Sequence, residues 1–191
     1  MRVSAAQRER NRAALVGAGL ALFAAQGFTA TTVDQIAGAA GLSKGAFYNY
    51  FRSKEDLALA ACVGALQEAE ARLPALLALP SLPDRLGELF HAFGRWAVHP
   101  ELVWIWGLEN LRRGRAEPAS ALLRRLLTAI FAAAQESGEV GADRAPDLLA
   151  LDVEGIVLAH IAAWYHAGSA GDLLPALRRA TDAYIRGAAV R

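Results

Sequence analysis

The residues best equipped for chemistry stand close together, in the stretch 41–54, GLSKGAFYNYFRSK, where fourteen positions hold four aromatic rings and three cations. Ser43, Lys44, Tyr48, Asn49, Tyr50 and Lys54 bring hydroxyl, ammonium and amide groups that donate to anionic oxygens. Lys44 follows Ser43 at what reads as the start of a helix, where the helix dipole disfavours a cation. A phosphate beside that helix start would offset the cost. The chemistry is therefore recognition of an anion. Patterns that make or break bonds point elsewhere. His160 and His166 are six apart and fall on different faces of a helix. No H-E-x-x-H occurs, and Gly17-Ala18-Gly19 lacks the strand and third glycine of a dinucleotide loop. Cys62 stands alone, with no Cys/His cluster for a metal. The expectation is no catalytic residue, no metal, no cofactor and no enzyme.

Short helices must position these groups. Thr32 precedes an apolar segment over 33–40 and, with Gln35, fits a capping box. Ser43 opens a segment over 44–50, and Ser53 opens another with Asp56 at its third position. Gly41 sits in the tight turn between the first two, where a positive φ is required. Two short helices joined by such a turn form a helix-turn-helix. Phe47 and Phe51 share the inward face by their spacing of four, and Lys44 and Tyr48 share an outward one. Gly45 lets a partner approach the backbone.

The rest of the chain reads as helix after helix, about nine in all. Segments run over 4–26, 84–98, 101–113, 118–136, 146–167 and 173–189, with Gly27 ending the first. Hydrophobic residues make up 54% of the 191, much of it Ala and Leu, which favours helix. Residues 1–54 hold seven cations against two acids, a balance of +5. With a net charge of +1, the remainder carries −4. A basic first quarter on an acidic body fits a polyanion meeting one end. No uninterrupted apolar run approaches the ~20 residues needed to span a bilayer, and the start has no apolar leader. The expected location is cytoplasmic, without membrane.

Residues 23–57, FAAQGFTATTVDQIAGAAGLSKGAFYNYFRSKEDL, resemble the DNA-binding domain of the TetR family of bacterial transcriptional regulators. The resemblance implies an all-α protein: a three-helix helix-turn-helix domain over 1–53, then a larger helical domain over 54–191 for ligand binding and dimerisation. It implies that 44–50 is the recognition helix in the major groove of double-stranded DNA. It places Thr32, Ser43, Tyr48, Tyr50 and Lys54 against phosphates, and Lys44, Gly45 and Asn49 near base edges. Asp34 is anionic on the neighbouring helix. It either accepts from a cytosine amino group or is a solvated first-turn acid.

Small residues form stripes on the last two helices: Gly155, Ala159 and Ala162, then Ala176, Ala180, Ala183 and Gly187, with Tyr184 adding apolar area. Such stripes pack either against a second copy or within one chain, and the resemblance implies a homodimer through them. His91, Trp106, Asn110, His160 and Trp164 add polar handles to apolar walls, as in a small-ligand site. The resemblance implies a cavity among the fifth to eighth helices, for a small hydrophobic or aromatic effector. Ligand binding would then release a repressor from a near-palindromic operator. The alternative keeps DNA binding with control by a protein partner or by no ligand. Two modules on such a site stand about 34–36 Å apart or a multiple of that. Tyr50→Phe or Lys54→Ala should weaken binding alike on cognate and scrambled duplexes, and Lys44→Ala should also change the ranking of sites. Fluorescence anisotropy on both duplexes measures this, and equal losses for all three variants on both duplexes would remove these roles.

Overall fold

A computed structural model describes residues 4–96, 100–113, 118–169 and 171–188, with only the backbone for 95, 96, 110, 111, 113 and 188. Among these residues there are ten helices: α1 (Ala5–Gln26), α2 (Val33–Ala39), α3 (Lys44–Phe47), α4 (Lys54–Ala71), α5 (Leu73–Leu77), α6 (Leu82–Trp96), α7 (Pro100–Arg113), α8 (Pro118–Glu136), α9 (Pro146–His166) and α10 (Leu173–Ala188). The all-helical class stands. The extra helix is α5, five residues with Pro74 in its first turn, too short to show a period. Sequence reasoning started α6 after Pro83. It starts earlier, because Ser81 caps it through the Asp84 amide and Pro83 needs no amide there.

The first helices are fixed by their ends. Thr32 and Gln35 close a reciprocal capping box on α2, and Ser43 accepts from the Ala46 amide on α3. Ser53 accepts from Asp56 N at 3.2 Å, while the Asp56 carboxylate accepts from Arg52 N at 3.0 Å. Each cap satisfies amides that a helix start leaves open. Gly41 takes φ 70° in the turn. The helix expected over 44–50 is shorter. After Phe47 the chain tightens, with Asn49 N on Ala46 O and Tyr50 N on Phe47 O. That tightening carries Phe51 into the core beside Phe47, with ring centroids 5.8 Å apart.

One buried cluster runs from Leu15 to Ile185. Helix α4 packs on α1 at one end and on α6 and α8 further along, so it bridges the first three helices and the body. Gly19 of α1 makes that crossing close: a Cβ there would stand 2.7 Å from Leu57 of α4. Helix α9 is apolar nearly all round, with mean hydropathy 1.5 over 18 residues and a third of that window buried. Its length and composition would suffice to cross a membrane, which a search for unbroken apolar runs does not reveal. Here it lies in the bundle. Two of its three acids are paired, Glu154 with Arg124 of α8, and Asp152 with Arg144.

Arg144, Asp152 and Tyr184 tie the α8–α9 loop to α9 and α10. The Tyr184 hydroxyl donates to Asp152 at 2.6 Å and accepts from Arg144 at 3.0 Å. The bond from Tyr184, with the Arg144 guanidinium beside it, holds the Asp152 carboxyl below its ordinary range. Burial and the Asp152 carboxylate push the Tyr184 phenol up to about 12. A carboxyl with a lowered folded value stabilises the fold above its unfolded value of about 4, and that contribution is lost as pH falls through the folded value. Asp152→Asn should therefore lower unfolding stability by about 1 kcal/mol at neutral pH. The gap to wild type should narrow as pH falls below that unfolded value, as urea titrations at pH 7 and at acid pH would show.

Candidate nucleic-acid interface

Thr32, Ser43, Lys44, Gly45, Tyr48 and Asn49 are exposed, while Tyr50 and Lys54 are half-buried. Tyr48, 52% exposed, is a large ring held in water against the edge of Phe47. Tyr50 is anchored from behind: Asn11 of α1 donates to its hydroxyl oxygen at 3.0 Å, which leaves the O–H free to donate outward.

The two lysines have different surroundings. Lys44 is paired across the helix-turn-helix with Asp34, Nζ to Oδ2 at 2.9 Å, and that bond raises its pKa. Both groups are mostly in solvent, so the pair breaks easily for a better anion. Asp34 is thus neither a plain solvated acid nor placed alone, since it holds Lys44. Lys54 points the other way. Its ammonium donates to the carbonyls of Phe28 at 2.7 Å, Thr29 at 3.3 Å and Thr31 at 2.9 Å, and lies 4.4 Å from the centre of the Phe28 ring. It fixes the loop that leads into the Thr32 cap. A second group holds the same loop from the body: the Glu101 carboxylate accepts from Thr29 N at 3.0 Å and Thr29 Oγ1 at 2.8 Å. Sequence reasoning missed Asn11 and Glu101, whose partners lie 39 and 72 residues away.

The body contains a cavity of about 510 Å3 between α6, α7, the end of α9 and the start of α10. His91 and Trp164 line it. Trp106 is fully buried against Phe93, a lining residue, and its indole N–H has no partner among the described residues. His160 bonds the Ile156 carbonyl of its own helix at 2.9 Å and is not on the wall, because that bond turns the ring along α9. The side chain of Asn110 lies outside the described residues. The walls also include α10 residues, Leu173, Leu174 and Arg178, beyond the fifth to eighth helices. No local period marked α10 as a cavity wall.

Of the small-residue stripes, Gly155, Ala159, Ala183 and Gly187 are exposed, and Ala162, Ala176 and Ala180 half-buried. Among the described residues, no heavy atom outside the helix's own backbone and the neighbouring residues lies within 4 Å of where a Cβ on Gly155 or Gly187 would stand. Tyr184 is half-buried, its hydroxyl spent on Asp152. Leu148 and Leu151 of α9, 47% and 41% exposed, extend this open apolar face.

Residues 15–61 match the profile of bacterial regulatory proteins of the tetR family. The transcriptional regulator AcuR of Cereibacter sphaeroides is 34% identical over 149 residues, 71% of this chain and 68% of that protein. The chain belongs to the tetR family of bacterial transcriptional regulators. The transcriptional repressor NicS of Pseudomonas putida is 34% identical over 128 residues, 65% of this chain, which spans 59% of NicS. The structure of Thermus thermophilus FadR, a TetR-family repressor in complex with lauroyl-CoA, superposes with a TM-score of 0.71 at 26% identity, covering 94% of this chain and 96% of that one. The tetR match begins within α1 and ends within α4, so the family profile covers the helix-turn-helix and the parts of those two helices nearest it.

The two lysines should separate in experiment. Asp34→Ala frees Lys44 and removes an anion from the outer face. It should tighten binding to any duplex and steepen log Kd against log salt by about one unit. Lys54→Met should instead lower thermal stability by about 1–3 kcal/mol, because the Thr29 and Thr31 carbonyls lose their donor while Phe28 O keeps the Thr31 amide. Anisotropy titrations and calorimetry distinguish the two, and an unstable Asp34→Ala or a fully stable Lys54→Met would contradict these assignments.

Proposed function

We propose that the chain is a ligand-responsive repressor, acting as a cytoplasmic homodimer on a near-palindromic operator and released by a small hydrophobic or aromatic effector. In this reading residues 1–53 carry DNA binding and 54–191 carry ligand binding and dimerisation. The supporting observation is a short span of α7. Val103 lines the cavity, and Glu101, two residues earlier, grips Thr29 in the loop that starts α2. An occupant pressing on Val103 moves the same helical turn that holds the DNA-facing module.

The outer face supplies backbone contacts from Thr32, Ser43, Tyr48 and Tyr50, and base-edge contacts from Lys44, Gly45 and Asn49. One face of this size reads few bases, so two copies are needed for useful specificity. The open stripe of Leu148, Leu151, Gly155 and Ala159 on α9, with Ala183 and Gly187 on α10, supports close packing against a second copy. Effector binding shifts the population toward a dimer whose two modules no longer match the half-sites. The lauroyl-CoA complex of Thermus thermophilus FadR favours an apolar acyl chain among the candidate occupants.

Selection from random duplexes should enrich a near-palindrome bound by two chains. Lauroyl-CoA or another apolar occupant should weaken that binding about 5- to 150-fold, the usual range of such coupling. Glu101→Ala should keep operator binding and lose most of the effector response. A monomer at micromolar concentration by sedimentation, or binding indifferent to duplex sequence, would overturn the proposal.

A further inference from the structure

Gly87 and Gly94 stand seven apart on α6, and each admits a side chain of α10. A Cβ on Gly94 would stand 2.6 Å from Leu174 Cδ1. A Cβ on Gly87 would stand 2.9 Å from Arg178 Nη2 and 3.1 Å from its Cζ. Both α10 side chains line the cavity. The guanidinium of Arg178 is thus seated in a notch that only glycine leaves open, at the edge of walls made by Phe90, Phe93, Val103, Leu173 and Leu174.

The polar groups of that cavity are unequal. The Trp164 indole already donates to the Gly171 carbonyl at 2.8 Å, so its ring serves as an apolar wall. Arg85, Arg112, Arg124, Arg125 and Arg144 each pair with a carboxylate. Among the described residues no such pair holds Arg178, whose side chain is also partly in solvent. It faces a mostly apolar space as a planar fork of donors, the geometry that matches a carboxylate bidentately. His91 lies on the same wall as a second polar group, one turn of α6 beyond Gly87. Asp172, also at the cavity, repels any anionic head group, and one with two negative charges about twice as strongly as a monocarboxylate.

We propose that the cavity takes an apolar monocarboxylate, with its head on the Arg178 guanidinium and its body between α6 and α10. This inference rests on the reading of the cavity as an effector site, and it names the chemical class of the effector. Arg178 is then the residue that separates acids from neutral molecules of the same shape. Gly87 is a positioning residue, because any side chain there displaces the guanidinium.

Direct binding to the full-length protein tests this without DNA. Decanoate and phenylacetate are titrated against decanamide and phenylacetamide, with indole fluorescence and thermal shift as readouts. Each acid should bind about tenfold or more tighter than its amide, as a charge-assisted pair requires. Arg178→Gln should abolish that preference by weakening acid binding far more than amide binding, Arg178→Lys should keep part of it, and Gly87→Ala should reduce it. A merely structural role for Arg178 would move acid and amide affinities together. Equal affinity of acid and amide in the wild type would overturn the carboxylate site and leave the effector reading intact. Tighter binding of lauroyl-CoA than of decanoate, insensitive to Arg178→Gln, would assign the head group to phosphates instead. Binding of neither acids, amides nor thioester would remove the effector reading along with this one.

Discussion

Three carbonyl oxygens, of Phe28, Thr29 and Thr31, converge on the ammonium of Lys54. Backbone carbonyls near a helix junction need donors, and one lysine reaches three at once. The bend it fixes delivers Thr32 to cap α2, and α2 in turn sets the crossing of α3. The bend is also where the body reaches the module, through Glu101 on Thr29. One loop of four residues is thus held by the first turn of α4 and the first turn of α7. A shift of either helix must move the outer face, because the core beneath is packed and does not deform gradually.

The body has two features that a single chain leaves unsatisfied. The first is the stripe on α9, where exposed leucines and bare glycine and alanine positions lie along a helix with few charges. The second is the cavity between α6 and α10, apolar except for His91, Asp172 and Arg178. Both touch α9 or α10. A dimer through these helices and a ligand beside them would act on the same structural elements, which gives a physical route for coupling.

Local chemistry was legible in the sequence and distant chemistry was not. The caps at Thr32, Ser43 and Ser53 could be read because their bonds reach only three residues ahead. The Phe47–Phe51 pair followed from helical spacing, and Gly41 from the turn. Lys54 looked like a phosphate contact, yet its nearest partners lie 23 to 26 residues back. Sequence spacing cannot show where a long flexible side chain ends. The aromatic and polar residues of the middle helices were read as one pool. The fold divides them: Trp106 is sealed in the core, His160 is tied to its own helix, and His91 and Trp164 lie at the cavity. The seat of Arg178 on Gly87 joins two helices 91 positions apart in sequence, a pairing no periodic pattern encodes.

The central claim is that two copies of the outer face are held at the spacing of successive major grooves on one side of a duplex. Pulsed electron spin resonance between labels at Ala21→Cys, an exposed α1 position outside the DNA-facing residues, one per chain, measures that spacing when the protein is bound to its selected duplex, once the offset of Ala21 from α3 is subtracted. The account predicts a narrow distribution near 34–36 Å or a multiple of it, allowing for the label arms, and a broader or shifted one when the duplex is removed. Absence of any dipolar coupling between chains on DNA, or a distribution unchanged by the duplex and unrelated to the groove repeat, would contradict it.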